Sequence, residues 1–323
     1  MFENAKLSRP TLAVDPVHDG RHKLRADRPL DRESIPIIVN LPDEGIAFFT
    51  YTWVNSAGDA GAVLAIFGPG VGDKPIQLGL PDRPVPADMD FSNWTIDGFT
   101  MKQDLKFGHA DVSWTSDVAS VDFTFDGFHP PYAYGSNAEG CPTYCADNRI
   151  EQSGRAKGTL TIGDRVIYFD TTGHRDHSWG TRDWIAFQDY RWFQGQVGTD
   201  CSVHFWHLQA LGSTKLLGYV FKDGLMAEVT DLDFTWQHDE DFNQTKLDAT
   251  LTDEAGRTTT VEVDFFGHYP LVPHPELVLV EGAGRAKIDG RNGVGWLEVA
   301  WPVAYLEHIK SIPLYRDYAG KPQ

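Results

Sequence analysis

Three cysteines in 323 residues are too few, and odd in number, to build a disulfide framework. Cys141 and Cys145 are spaced like two zinc ligands, but no second pair accompanies them, and a structural zinc site needs four. Long apolar runs are also missing. The longest, Ala62 to Phe67, is far too short to span a bilayer, and Met1 to Pro10 holds nothing like the apolar stretch of a secretory signal. The expected compartment is therefore the cytoplasm, and no integral membrane segment is expected.

Basic residues are scarce: 28 Lys and Arg stand against 46 Asp and Glu, a net charge of −18. Without a Lys/Arg block to track a phosphate backbone, nucleic acid is not an expected partner. An anionic surface would repel such a chain, whereas an uncharged hydrophobic ligand is indifferent to the sign. A homo-oligomer stays open.

Helical periodicity is nearly absent, and 31 Gly with 19 Pro would break most candidate helices. No G-x-G-x-x-G leads from a strand into a helix, no G-x-x-x-x-G-K-[ST] occurs and no H-E-x-x-H occurs, so no cofactor is expected. What is present instead is a series of short runs rich in β-branched and aromatic residues. They include Ile46 to Trp53, Ala119 to Phe125, Lys157 to Ile162, Arg165 to Asp170, Cys201 to Leu208, Thr258 to Phe265 and Gly295 to Trp301. Turn residues such as Gly163-Asp164 and Asp289 to Gly293 separate them. The pattern predicts an all-β protein of sandwiches or barrels.

The length favours two domains over one. We place the first at residues 1–185 and the second at 186–323. A short repeat agrees with tandem units: Gly154-Arg155-Ala156-Lys157 and Gly284-Arg285-Ala286-Lys287 each open a strand-turn-strand segment.

Reactive groups are densest between Gly173 and Trp184, where His174, Arg175, Asp176, His177, Ser178, Trp179, Arg182 and Asp183 crowd together. If this segment is extended, His174, Asp176 and Ser178 face one side and Arg175, His177 and Trp179 the other. Acid, base, cation and π-face are all available for proton chemistry. Whether the working proton belongs to Asp176 or His177 is left open by the sequence. The chain also has 10 Trp, 11 Tyr and 19 Phe, many near this segment or in strands, Trp184, Tyr190 and Trp206 among them. An acid above indole faces protonates an alkene and holds the resulting cation, each close ring contributing about 0.5–2 kcal/mol.

Gly158 to Asp170, followed by Arg175-Asp176-His177-Ser178-Trp179-Gly180 and Arg182, resembles the signature of AttH-like proteins related to hydroxyneurosporene synthase, a carotenoid 1,2-hydratase. Phe125 to Pro131 and Gly293 to Glu298 resemble the same family. The resemblance implies two consecutive lipocalin-like β-barrels and largely cofactor-independent hydration, dehydration, cyclisation or isomerisation of hydrophobic, terpenoid-like molecules. It makes Asp176 and His177 an acid/base pair, with Arg182 orienting. Trp179 and Trp184 would wall the substrate, with His174, Tyr190 and Trp206 as further contacts.

Rival readings attach to the same residues. Arg175, Asp176 and Arg182 suit a structural ion network joining two barrels. A lipocalin-like carrier that binds an apolar ligand unchanged needs the same aromatic wealth. His204 and His207, three apart on a strand, point to opposite faces, which argues against a metal with His174 and His177. Ser178 lacks the G-x-S-x-G context of a hydrolase nucleophile.

Overall fold

The computed structural model describes residue 2 and residues 5–312. The chain folds into two compact units. One holds the described residues of Met1–Leu41, Phe48–Ile66 and Ile76–Arg182, and the other those of Pro42–Ala47, Phe67–Pro75 and Asp183–Gln323.

The strands up to residue 181 are β1 (Lys6–Leu7), β2 (Asp31–Leu41), β3 (Ile46–Asn55), β4 (Asp59–Phe67), β5 (Ile76–Pro84), β6 (Trp94–Ile96), β7 (Phe99–Gln103), β8 (His109–Trp114), β9 (Ala119–Gly127), β10 (Tyr132–Ala133), β11 (Asn148–Ile162) and β12 (Arg165–Thr181). From β2 onward they make one sheet in the order β5-β4-β3-β2-β12-β11-β9-β8-β7-β6, with β10 beside β11. The densest polar segment thus lies on β12, in the middle of the sheet, between β2 and β11.

A two-residue turn sets the register of β11 against β12. Gly163, at φ +56°, takes the left-handed conformation that such a hairpin requires, and Ile162 faces Arg165 across it. Pairing then runs unbroken to Asn148 opposite Trp179. From Val166 to Asp170 β12 alternates between exposed and buried, as a half-solvated strand should; from Thr172 to Gly180 every residue is buried. Next to the strand's last residue stands Gly180, φ +106°, where a Cβ would come 2.5 Å from the Asp147 amide nitrogen.

The second unit is an eight-stranded barrel: β13 (Phe187–Val197), β14 (Cys201–Ala210), β15 (Ser213–Lys222), β16 (Leu225–His238), β17 (Gln244–Asp253), β18 (Thr258–His274), β19 (Leu277–Ile288) and β20 (Arg291–Pro302). Each strand pairs antiparallel with the next and β20 pairs with β13, so the ring closes. Phe193, Val203, Phe205, Leu247, Val263 and Leu297 belong to one apolar cluster that packs this unit. Each such burial is worth about 1.5–3 kcal/mol. The repeated tetrapeptides fall on β11 and β19, where Gly154 lets the Phe125 ring approach and Gly284 lets Val263 approach.

The architecture is all-β and lipocalin-like, as expected from the strand pattern. Helix is confined, among the described residues, to α1 (Val303–Ser311) and five short 3₁₀ turns. Among the described residues, no helix is long and apolar enough to cross a membrane.

Candidate active site

The central strand β12 carries two polar networks, one on each face. Side chains that are adjacent in sequence leave a strand in opposite directions, so the alternation expected from the sequence holds in the fold.

On the first face, Glu151 of β11 sits opposite Asp176, and Ser153 opposite His174. Glu151 is fully buried and accepts three hydrogen bonds: from Tyr134 Oη at 2.7 Å, from Arg149 Nε at 2.7 Å and from His174 Nε2 at 2.9 Å. The other His174 nitrogen, Nδ1, is 2.9 Å from Ser153 Oγ. Since Glu151 accepts at Nε2–H, His174 Nδ1 accepts from the Ser153 hydroxyl. Arg149 reaches on with Nη2 to Asp176 Oδ2 at 2.7 Å, so one guanidinium ties two carboxylates together. Tyr134 comes from a 3₁₀ turn, Tyr134–Ser136, and Arg149 lies over its ring with 5.7 Å to the centroid.

Electrostatics fix the protonation of this face. Burial pushes His174 below the usual histidine range against the opposing pull of Glu151, so the imidazole is neutral at rest. Burial, with Glu151, pushes the Tyr134 phenol well up, which keeps its proton available to donate. Burial works against the charge on Arg149, but Asp176 and Glu151 outweigh it and hold the guanidinium ionised. Behind the network, His129 accepts from the Ser153 amide at 3.0 Å through Nε2 and donates to the Pro130 carbonyl at 2.7 Å. Burial drives His129 down to about 3. Ser153, His174 and Glu151 line up in the order of a hydrolase triad. Ser153 is nevertheless mid-strand, with its amide committed to His129, and no sharp turn exposes it as a nucleophile elbow would.

On the opposite face, His177 Nε2 donates to Glu33 Oε1 at 2.7 Å. The same oxygen accepts from His22 Nδ1 at 2.7 Å, and the His22 amide also donates to this carboxylate at 2.9 Å. His22 lies flat on Trp179, with ring centroids 3.6 Å apart and planes 7° apart. His18 follows, its Nδ1 3.0 Å from His22 Nε2, and burial with His22 holds His18 below the usual range. Asp15 starts the 3₁₀ turn Pro16–Asp19 by accepting from the Val17 amide, and this turn delivers His18 and Asp19 to the sheet. Asp19 then pairs with Arg175 at 3.0 Å, while Gln103 and Gln152 accept the remaining guanidinium bonds of Arg175.

Arg182 serves a third cluster. It donates from Nε to the Cys145 carbonyl at 2.8 Å and from Nη2 to Ser178 Oγ at 2.8 Å. Burial pushes the Cys145 thiol up, but its hydrogen bond with Cys141 and the charges of Arg182 and Arg149 bring it down to about 6. All three cysteines are free.

The sequence candidates are therefore distributed rather than gathered. His174 and Asp176 share the Glu151–Arg149 network. His177 and Trp179 share the network of Glu33 and His22. Asp176 and His177 were expected to act as a single acid/base pair, and strand alternation separates them. Arg175 is held within the first unit by Asp19, Gln103 and Gln152. Trp184, Tyr190 and Trp206 belong to the second unit, where Phe187 lies within about 6 Å of all three rings and Tyr190 donates to Glu298 at 2.6 Å. Sequence reasoning missed Glu151, Arg149, Tyr134, Glu33 and His22. The two-residue turn held a usable signal: the numbers of every β11–β12 pair add to 327, so Glu151 opposite Asp176 follows from Ile162 opposite Arg165.

The fold resembles a protein of Nitrosomonas europaea named for AttH, with a TM-score of 0.61 at 14% identity over 91% of this chain and 99% of that one. CghA gives 0.59 at 12% identity, over 84% of this chain and 88% of that one. Kievitone hydratase from Nectria haematococca gives 0.58 at 11% identity, over 92% and 94%. These neighbours fit the fold that the sequence resemblance implied. No curated protein matches the sequence significantly. A family model does match, across residues 15–303, and the chain belongs to that family, a domain of unknown function designated DUF7064.

Proposed function

We propose that the protein is a hydratase-type enzyme that adds water to, or removes it from, an unsaturated hydrophobic small molecule of terpenoid-like character. The carrying observation is Glu151, buried, accepting at once from His174, Tyr134 and Arg149, with Asp176 on the far side of Arg149. A carrier that only wraps an apolar ligand needs no such set of buried ionisable groups, and burying them costs free energy.

In this reading His174 carries the proton and Glu151 positions it. Because burial disfavours the imidazolium, His174 is neutral at rest and becomes a correspondingly strong acid once protonated. Hydration proceeds by transfer of that proton to an alkene carbon, addition of water oxygen to the resulting carbocation, and return of a water proton to His174. No net proton is consumed, and the reverse sequence is dehydration. Asp176 holds Arg149 charged beside the site. That the fold is shared with a protein named kievitone hydratase supports this class of chemistry.

The test is incubation of the purified protein with a panel of prenylated phenols and acyclic isoprenoids in ¹⁸O-labelled water, followed by mass analysis. The expected product gains one labelled water, and His174→Gln and Glu151→Gln each lower its formation by about 10²–10⁴ while the fold survives. Equal turnover by folded His174→Gln would overturn the assignment. Tight binding with the ligand recovered unchanged would favour the carrier instead.

A further inference from the structure

The network of Glu33, His22 and His177 has the composition of a metal site rather than only of a hydrogen-bond cluster. One ligand atom from each of the three residues lies within 4.8 Å of the other two. Glu33 is fully buried, and His177 nearly so; His22 keeps 17% of its side chain exposed, which leaves an approach from solvent. Two imidazoles and one carboxylate suit Zn²⁺ with a fourth position open.

Preparation of the ligands goes beyond their presence. To bind through Nδ1, His22 must carry its proton on Nε2, and His18 Nδ1 stands 3.0 Å away to accept it. Metal-ligating histidines are normally oriented in this way by a partner on the other nitrogen. The flat stack on Trp179 fixes the plane of the same ring. The main-chain amide of His22 holds the Glu33 carboxylate in place. In His177, Nε2–H now donates to Glu33, while Nδ1 is buried without a hydrogen-bond partner among the described residues and is the ring atom that takes the proton when an ion replaces it at Nε2.

We propose that His22, Glu33 and His177 bind one Zn²⁺, with His18 positioning His22. The nitrogens now sit 2.7 Å from Glu33 Oε1, held by protons. Around a tetrahedral ion with bonds near 2.0–2.1 Å the donors stand about 3.3 Å apart, so metal entry spreads them by roughly 0.6 Å. The protons on the ligating nitrogens move to the opposite ring atoms, and the ion takes their place. This site lies on the face of β12 away from His174 and does not depend on the hydratase reading.

The full-length protein is equilibrated with Zn²⁺, dialysed and assayed for bound metal, and Co²⁺ is used in parallel because its visible absorption reports coordination. One equivalent of Zn²⁺ is expected, with intense four-coordinate Co²⁺ bands. Glu33→Gln and His22→Gln should abolish retention, and His18→Asn should weaken it about tenfold, as loss of an orienting partner does. His22→Gln is the decisive variant, because His22 is the most exposed of the three ligands and its replacement leaves the fold intact, checked by circular dichroism. Retention by His22→Gln equal to wild type overturns the proposal. So does loss of the metal only in a Cys141→Ser/Cys145→Ser variant, or failure of the wild type to retain either ion.

Discussion

Asp176 and His177 are joined by a peptide bond and face away from each other: Asp176 meets Arg149 at 2.7 Å on one side of β12, and His177 meets Glu33 at 2.7 Å on the other. The two residues belong to separate electrostatic systems with different partners. Each can be perturbed alone, which makes the following outcomes separable.

Asp176→Ala leaves the buried Arg149 with Glu151 as its remaining carboxylate. Breaking a buried pair costs about 3–5 kcal/mol, and the surviving partner puts this variant at the lower end. Urea unfolding should show that loss, while the His177 ring resonances in NMR stay where they are in the wild type.

Glu151→Gln replaces an acceptor-only group with one that also donates, although Tyr134, Arg149 and His174 all donate to it. One of those donors is left unpaired in a buried site, at about 1–3 kcal/mol. Turnover of a hydratable substrate should fall by about 10²–10⁴, the usual contribution of a positioned acid/base unit. A variant that loses stability but retains turnover would place the chemistry elsewhere.

Acid should destabilise the protein in part through His129. Its folded value, about 3, lies below the ordinary 6.5, so on acidification the unfolded chain binds a proton first. The stability contributed by the neutral ring is complete above pH 6.5 and is lost as the pH falls toward 3, at about 1.4 kcal/mol per pH unit for one proton. His174, also held low by burial, acts in the same direction. Denaturant melts of the wild type and His129→Gln should converge between pH 6.5 and 5, because the variant lacks this titration.

Gly180→Ala should be costly for a residue with so small a side chain. The position combines φ +106° with a Cβ placed 2.5 Å from the Asp147 amide nitrogen. Strain of this kind costs about 1–3 kcal/mol. A lowered melting temperature is expected, and an unchanged one would show that the end of β12 adjusts freely.

Much of the framework was legible in the sequence. The β11–β12 hairpin was marked by the run Lys157 to Ile162, the Gly163-Asp164 turn and the run Arg165 to Asp170 after it. The barrel strands were marked by runs such as Cys201 to Leu208. The fully buried half of β12 was less so, because Thr172 to Gly180 carries charged and polar residues where composition alone predicts solvent. Their partners explain the burial and are remote: Glu33 lies 144 residues before His177, and Arg149 lies 27 before Asp176. His18 and His22 were harder still, since they sit in a segment from Leu12 to Leu30 with no strand pattern, and only a 3₁₀ turn carries them to the sheet.

Because β12 is occupied on both faces, it behaves as a party wall, and it constrains how such proteins diversify. A change to the strand backbone disturbs both networks at once, so the wall itself leaves little room for drift. The segment carrying His18 and His22 touches one face only. Exchanging that segment offers a route by which one side of the sheet acquires new chemistry while the Glu151–His174 side is left intact.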